Sequence, residues 1–444
     1  MVDMDIRNRH LYGRVYGTYE GTTPVLVVTD PSLIQFVYNS SFANFTDQFT
    51  EQLTRSPHQV EMKNIVVSVG DEWRRYRSIV NRAMATSRLN DMTKGINMSP
   101  LIQFLRSRSP ESHVNLPDLF FTLALQMSMQ CLLGTDLDLF NHPDRETIIS
   151  KGNVFASLDV FHMSYSKLWI TRRIPLLLSR LLGLYNQTES DTRFFTAMIK
   201  QAINLRYKDE SAASIRNDFL QTLIMGQQAG SLSEEEVTSN AVVMTIGAWG
   251  TIAGTLVAMV HELAKNPDQQ EMLFQEVSSL GLNGEAPSAE DLSRLPLLES
   301  AICETLRLHP AETRGFRIVS NPDGVEIPIG DKMVHIPKGT MINVSTYALH
   351  HDPEFWPESE KFDITRFLPE NKDNIVKCTF MAVGSGPRMC PGERLAKILM
   401  KHTMISLLTK FVMKDPTPDR LLVPPNSYMT SLVGAAVVFE PRKI

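Results

Sequence analysis

Cysteine is scarce: four residues in 444, at positions 131, 303, 378 and 390. That is too few for a disulfide scaffold. No C-x-x-C pair occurs among them, which argues against structural zinc. The chain also lacks a surplus of positive charge. Its 44 Lys and Arg against 49 Asp and Glu leave a net charge of −5, so no overall basic field suits nucleic acid, and nucleic acid is not an expected partner. There is no internal repeat and no low-complexity linker. The first residues, MVDMDIRNRHLYGRVYG, contain no apolar run and read as neither a signal peptide nor a membrane anchor. The triplet Asn44-Phe45-Thr46 is therefore not expected to carry a glycan. What is present is ordinary for a globular protein, 43% hydrophobic and 21% charged, with 22 Met suited to an adaptable apolar interior.

One uncharged run is long enough to span a bilayer, AVVMTIGAWGTIAGTLVAMV from Ala241 to Val260, and Gly250 and Gly254 form a G-x-x-x-G within it. It is poor in Leu, Ile and Phe. Its start is that of a soluble helix: Ser233-Glu234-Glu235-Glu236 reads as a capping box with acids in the first turn. Asn266-Pro267 ends it. We read it as the central helix of a large core. Upstream, TPVLVVTD is strand-like, and Asp30-Pro31 caps a helix to about Tyr38. From about Asp71 to Ser288 the pattern is mostly helical. From Arg314 onward, short β-prone runs alternate with Pro and Gly turns, followed by a helix after Gly392 and a strand-like SLVGAAVVFE. The expected fold class is α+β, mainly α with smaller sheets, in a single domain over residues 1–444.

The segment FMAVGSGPRMCPGERLA, Phe380 to Ala396, carries the most information. Gly384, Gly386 and Gly392 around Cys390 allow the backbone to wrap closely beneath a planar group. Arg388 offers a fork of donors to a carboxylate. A helix starting after Cys390 directs N–H groups at a thiolate. A thiolate with an open face suits heme iron. This loop resembles the cysteine loop of the cytochrome P450 family, F-G-x-G-x-R-x-C-x-G, with Val383 where Phe is usual.

The resemblance implies a P450 fold with heme b between a central long helix and the cysteine loop, its iron held by Cys390. It implies further residues. Glu304 and Arg307 lie three apart in LPLLESAICETLRLHP, so they share a helix face. On a surface such a pair is worth only ~0.3 kcal/mol; in the family E-x-x-R is buried and joined by a second Arg, here Arg366 of KFDITRF. Ile364 and Thr365 depart from the usual Pro and acid. We read the three as structural. Trp73 and Arg77, four apart in DEWRRYRSIV, share a face with donors for a heme propionate. Arg317, Arg388 and Gly384 complete the cofactor set, with Arg314 a rival to Arg317.

In the family the central helix crosses above the iron and carries an acid-Thr pair. Counting back from Asn266-Pro267 puts Thr251 on the Thr and Gly250 on the acid. Gly in a helix interior costs ~1 kcal/mol against Ala, tolerable where a ligand approaches the backbone. Oxygen cleavage needs two protons, relayed by alcohol and carboxylate; here Thr251 is the catalytic residue that remains. The expected activity is monooxygenation of a lipophilic steroid, lipid or xenobiotic with O2 and reductant. Alternatives are a P450-type isomerase or peroxide-rearranging enzyme, suggested by Gly250, and a non-enzymatic heme or steroid binder.

YGRVYGTYEGTTPVLVVTDPSLI, YALHHDPEFWPESEKF and NKDNI resemble the animal microsomal branch that includes broad-specificity drug and steroid oxidising P450s and thromboxane synthase. This implies NADPH-cytochrome P450 reductase as partner, cytochrome b5 as an optional second one, and the cytoplasmic face of the endoplasmic reticulum membrane, although this chain shows no anchor. FHMSYSKLWITRRIPLLLSRLLGLY is a candidate membrane-surface segment or a helix packed on the body. The resemblance places Val243, Ile246 and Gly247 on the iron-facing side of the central helix, and Ala311, Glu312 and Thr313 in the pocket. Glu312 either orients a polar or cationic substrate group, with Arg314 as a candidate partner, or faces solvent. The loop Met429 to Ser431 is expected to close the pocket. Arg74, Arg75, Lys397 and Lys401 are candidates for a basic patch that docks the reductase.

Overall fold

The computed structural model describes residues 2–20, 23–48, 63–156, 186–208, 217–282, 284–417 and 434–443. The segment from Phe161 to Tyr185 and the Met429–Ser431 loop lie outside the described residues. The central helix runs Glu234–Lys265, ~48 Å at 1.5 Å per residue. Its start is a complete capping box: the Ser233 hydroxyl accepts from the Glu236 N–H, and the Glu236 carboxylate accepts from the Ser233 N–H at 2.7 Å. It ends at Asn266, and Pro267 opens the next helix, Pro267–Ser278.

The central helix packs along a second apolar helix, Leu116–Leu133, itself closed by left-handed Gly134. The Trp249 indole N–H donates to the Phe121 carbonyl across this seam at 2.8 Å. Both helices are long and apolar enough to cross a membrane, and most of their residues are buried inside the protein. The helix Pro296–Leu308 packs on the central helix and on the helix Glu393–Leu408. Together they form one apolar core.

Nine strands are described: β1 (Val15–Glu20), β2 (Thr23–Val28), β3 (His113–Asn115), β4 (Gly315–Ile318), β5 (Val325–Ile329), β6 (Lys332–Ile336), β7 (Met341–Val344), β8 (Phe411–Lys414) and β9 (Ala436–Pro441). The largest sheet has the order β1-β2-β7-β4, with β2 and β7 parallel. β3-β9-β8 and the hairpin β5-β6 complete the set among the described residues. This is the α+β architecture expected from the sequence.

One element is not assigned from the sequence. Val2–Tyr12 is a helix. Its periodicity is weak, but distant charges hold it. Asp5 is buried and binds the Arg314 guanidinium, with 2.7 Å from Nε to Oδ2, and accepts from the Ser345 hydroxyl at 2.8 Å and the Tyr16 hydroxyl at 3.2 Å. Arg9 pairs with buried Asp352. These partners are far away in sequence, so no local pattern announces the helix.

Candidate active site

The cysteine loop is shaped by backbone contacts. Gly384 and Gly386 have φ of +73° and +69°, a region L-residues with a Cβ rarely adopt. At Gly386 a Cβ would sit 1.9 Å from the Tyr38 carbonyl oxygen, so only glycine lets the loop lie on the turn after Pro31–Gln35. The Cys390 N–H donates to the Val383 carbonyl at 2.9 Å. Gly392 caps the helix Glu393–Leu408, and its N–H hydrogen-bonds the Cys390 sulfur. Protein surrounds Cys390, yet its surface is open, as befits a group facing an internal space.

The Gly392 N–H acts on the sulfur in the direction expected of a helix N-terminus, toward the thiolate. Burial pushes the Cys390 thiol up, Glu312 and Glu393 add to that, and the Gly392 N–H and Arg77 oppose it only partly. Iron bound at this sulfur would favour the thiolate against that burial.

Around this loop stands a cluster of cations. Arg77 donates from Nη1 to the carbonyl of Met389 at 2.7 Å. Arg388 donates from Nη2 to the Ser68 carbonyl at 2.7 Å, and its guanidinium lies 4.4 Å over the Trp73 ring. The Trp73 indole N–H has no hydrogen-bond partner among the described residues. Arg317 is 2% exposed, donates from Nη1 to the Phe316 carbonyl at 2.8 Å and stacks 4.3 Å over the Tyr38 ring. The Nε atoms of Arg317 and Arg388 and the Tyr38 hydroxyl are buried without partners. Burial and its neighbours Arg317 and Arg77 bring Arg388 down to about 9. Buried donors and mutually repelling cations call for an anion. The two propionates of heme fit this site by charge and by donor chemistry.

A second charged unit holds the ground beneath the loop. Arg307 forks onto Glu304, 2.7 Å from Nε and 2.8 Å from Nη2, with both side chains fully buried. Its Nη1 donates to the carbonyls of His350 and Ser359 at 2.9 and 2.7 Å. Arg366 reaches Glu304 at 3.1 Å. Asp363, two residues before Thr365, accepts from the Thr365 N–H and hydroxyl at 3.0 and 2.7 Å.

On the central helix, Gly247 is open and Thr251 half-buried, while Trp249 and Gly250 are buried. A Cβ on Gly247 would meet nothing within 4 Å. The Thr251 hydroxyl donates to the Gly247 carbonyl at 2.5 Å. Val243 and Ile246 are largely buried in the core. In the connection from Leu308 to β4, Ala311 is half-buried, Thr313 is buried with an unpartnered hydroxyl, and Glu312 is open.

Two sequence-based expectations change. Arg314 is neither a propionate ligand nor the partner of Glu312, because Asp5 takes it. The proposed basic patch does not stand as free charge: Arg74 pairs with Asp71, Arg75 with Glu236, Lys397 with Glu299 and Glu393, and Lys401 with Glu299. Two site residues were not foreseen. Tyr38 underlies Arg317, and Gln48 approaches Arg388 at 3.5 Å. An aromatic inside an apolar helix end carries no sequence signal for this role.

A protein-enclosed thiol in a glycine loop, beside buried guanidinium donors lacking anions, defines a heme-thiolate protein. The comparisons agree: the model of the cytochrome P450 family matches residues 1–435, and the chain belongs to that family. It is 30% identical over 414 residues to cytochrome P450 3A12 of Canis lupus familiaris, covering 91% of this chain and 79% of the relative. It is 29% identical over 423 residues to lithocholate 6-beta-hydroxylase of Mesocricetus auratus, covering 91% and 79%. The protein is thus a monooxygenase, an oxidoreductase with cysteine-ligated heme that uses O2, a lipophilic substrate and a redox partner.

Proposed function

We propose that residues 1–444 form one catalytic domain that inserts an oxygen atom from O2 into a steroid, lipid or xenobiotic. Electrons come from NADPH-cytochrome P450 reductase, with cytochrome b5 as a second donor. The observation that carries this reading is the enclosed, open-faced sulfur of Cys390. Heme bound there supplies redox chemistry and O2 activation. Cys390 holds the iron. Arg77, Arg317, Arg388, Trp73 and the Tyr38 hydroxyl hold the propionates, and Gly384 keeps the loop close. Glu304, Arg307 and Arg366 fix the ground beneath.

Thr251 is the proton-handling group. Its hydroxyl proton is committed to the Gly247 carbonyl, so its oxygen is free to accept from a water at the open notch. Proton delivery then requires the hydroxyl to release that carbonyl and rotate its proton toward the water. Gly250 is buried and offers no carboxylate, which favours a second reading, rearrangement of a peroxide without reductant. Val243, Ile246, Gly247, Ala311, Glu312 and Thr313 shape the substrate side. Residence on the cytoplasmic face of the endoplasmic reticulum follows from the family resemblance, and exposed Met4, Leu11, Tyr12 and Tyr19 are suited to contact with a membrane surface.

The test is the spectrum of the reduced, CO-bound protein, followed by substrate-dependent NADPH oxidation with labelled O2. The expected result is a thiolate-type spectrum, abolished in Cys390→Ala, and label in the product. Peroxide conversion without O2 or reductant, with no hydroxylation, establishes the second reading instead.

A further inference from the structure

The carboxylate of Glu312 has no role in the assignments above beyond shaping the pocket. It belongs to the connection between the helix Pro296–Leu308 and β4. Like Cys390, it is enclosed by protein while its surface stays open. The two charges act on each other, for Glu312 helps to push the Cys390 thiol up. Geometry places its connection beside the cysteine loop: a Cβ on Gly315, three residues on, would lie 3.1 Å from the Tyr38 hydroxyl, and the Tyr38 carbonyl abuts Gly386 of that loop.

Its balance of partners is unfavourable. No described residue hydrogen-bonds it. Arg314, two residues on, is held by Asp5. The titratable groups that face it are the Tyr38 phenol, the Cys390 thiol and Arg317, and of these only Arg317 draws its charge out. Burial raises its pKa against that pull. Arg317 has an unpartnered Nε and is the residue assigned to a propionate. Once an anion from the cofactor occupies Arg317, Glu312 is an uncompensated carboxylate in an enclosed space. Such a group costs several kcal/mol unless it is neutral or paired. An arriving organic cation supplies the pair.

We infer that Glu312 anchors substrates that join an apolar body to a cationic nitrogen, so that this pocket selects lipophilic amines over their neutral isosteres. The inference rests on the reading of this space as the substrate side of a heme pocket.

The experiment uses hemin-loaded, full-length protein and two probes, a phenylbutyl trimethylammonium ion and its carbon isostere ending in a tert-butyl group. A quaternary nitrogen has no lone pair for iron, so changes in the heme absorption report occupancy and not ligation. The expected result is at least tenfold tighter binding of the cation at pH 8. That preference falls as the pH is lowered and Glu312 takes up a proton, while binding of the isostere stays flat. Glu312→Gln should abolish the preference, so that the cation binds no tighter than the isostere. The pH profile of the wild-type protein stands alone if the variant fails to take up hemin. A preference that persists in Glu312→Gln, a flat pH profile, or no preference in the wild type overturns the inference. So does failure of both probes to bind a protein whose reduced, CO-bound spectrum is thiolate-type. Absence of that spectrum in the wild type marks failure of the heme-pocket reading itself.

Discussion

Two clusters of arginine lie close to the cysteine loop and differ in one respect. In the unit of Glu304, Arg307 and Arg366 the buried charges are matched, and each guanidinium finds carboxylate or carbonyl oxygen. In the unit of Arg77, Arg317 and Arg388 there is no matching acid of that quality, and two Nε donors are left over. Each unit combines buried arginine with one half-buried arginine, Arg366 in the first and Arg77 in the second. The first is complete in the polypeptide and therefore serves the fold. The second is complete only with an anionic guest, and therefore serves binding. Satisfaction of buried polar groups, and not their identity, separates scaffold from site.

The sharpest way to break this contrast is to remove one partner of the matched unit. Glu304→Ala or Arg307→Ala leaves a stranded buried charge and should cost ~3–5 kcal/mol. Thermal unfolding should show that loss with or without hemin. The unmatched unit should respond in the opposite sense. Arg317→Gln removes a desolvated cation, so the apoprotein should melt no lower than wild type. The loaded protein should lose ~1.5–3 kcal/mol of cofactor affinity, read as about ten- to hundredfold faster heme transfer to a scavenger apoprotein. Equal destabilisation of both forms would erase the distinction.

A smaller effect sharpens the comparison from a neutral group. Burial lowers His402 to about 4 from the usual 6.5. The unfolded chain then binds a proton that the native protein refuses, so stability is full above pH 6.5 and falls as the pH drops toward 4. At about 1.4 kcal/mol per pH unit, His402 accounts for up to about 2 kcal/mol between pH 7 and pH 5. Melting curves across that range should flatten in His402→Gln.

Much of this site is legible in the sequence because its signals are local. The capping box at Ser233, the prolines at 296 and 310, the E-x-x-R spacing and the glycines around Cys390 each declare an element within a few residues. What is not legible is pairing over distance. Nothing near Arg314 reveals that Asp5 will claim it, and nothing in Lys397 or Lys401 reveals that Glu299 will bridge the two. Tyr38 reads as core until the guanidinium of Arg317 is found resting on its ring.

The clasp of Asp5 on Arg314, Ser345 and Tyr16 has a practical side. Arg314 lies directly ahead of the strand that carries Arg317, and Ser345 directly follows β7 beside it. Anyone trimming the leading residues to improve yield in a bacterial host would unfasten the strand that seats the cofactor. The better place for a purification tag is the far end of the chain, with the opening helix left whole.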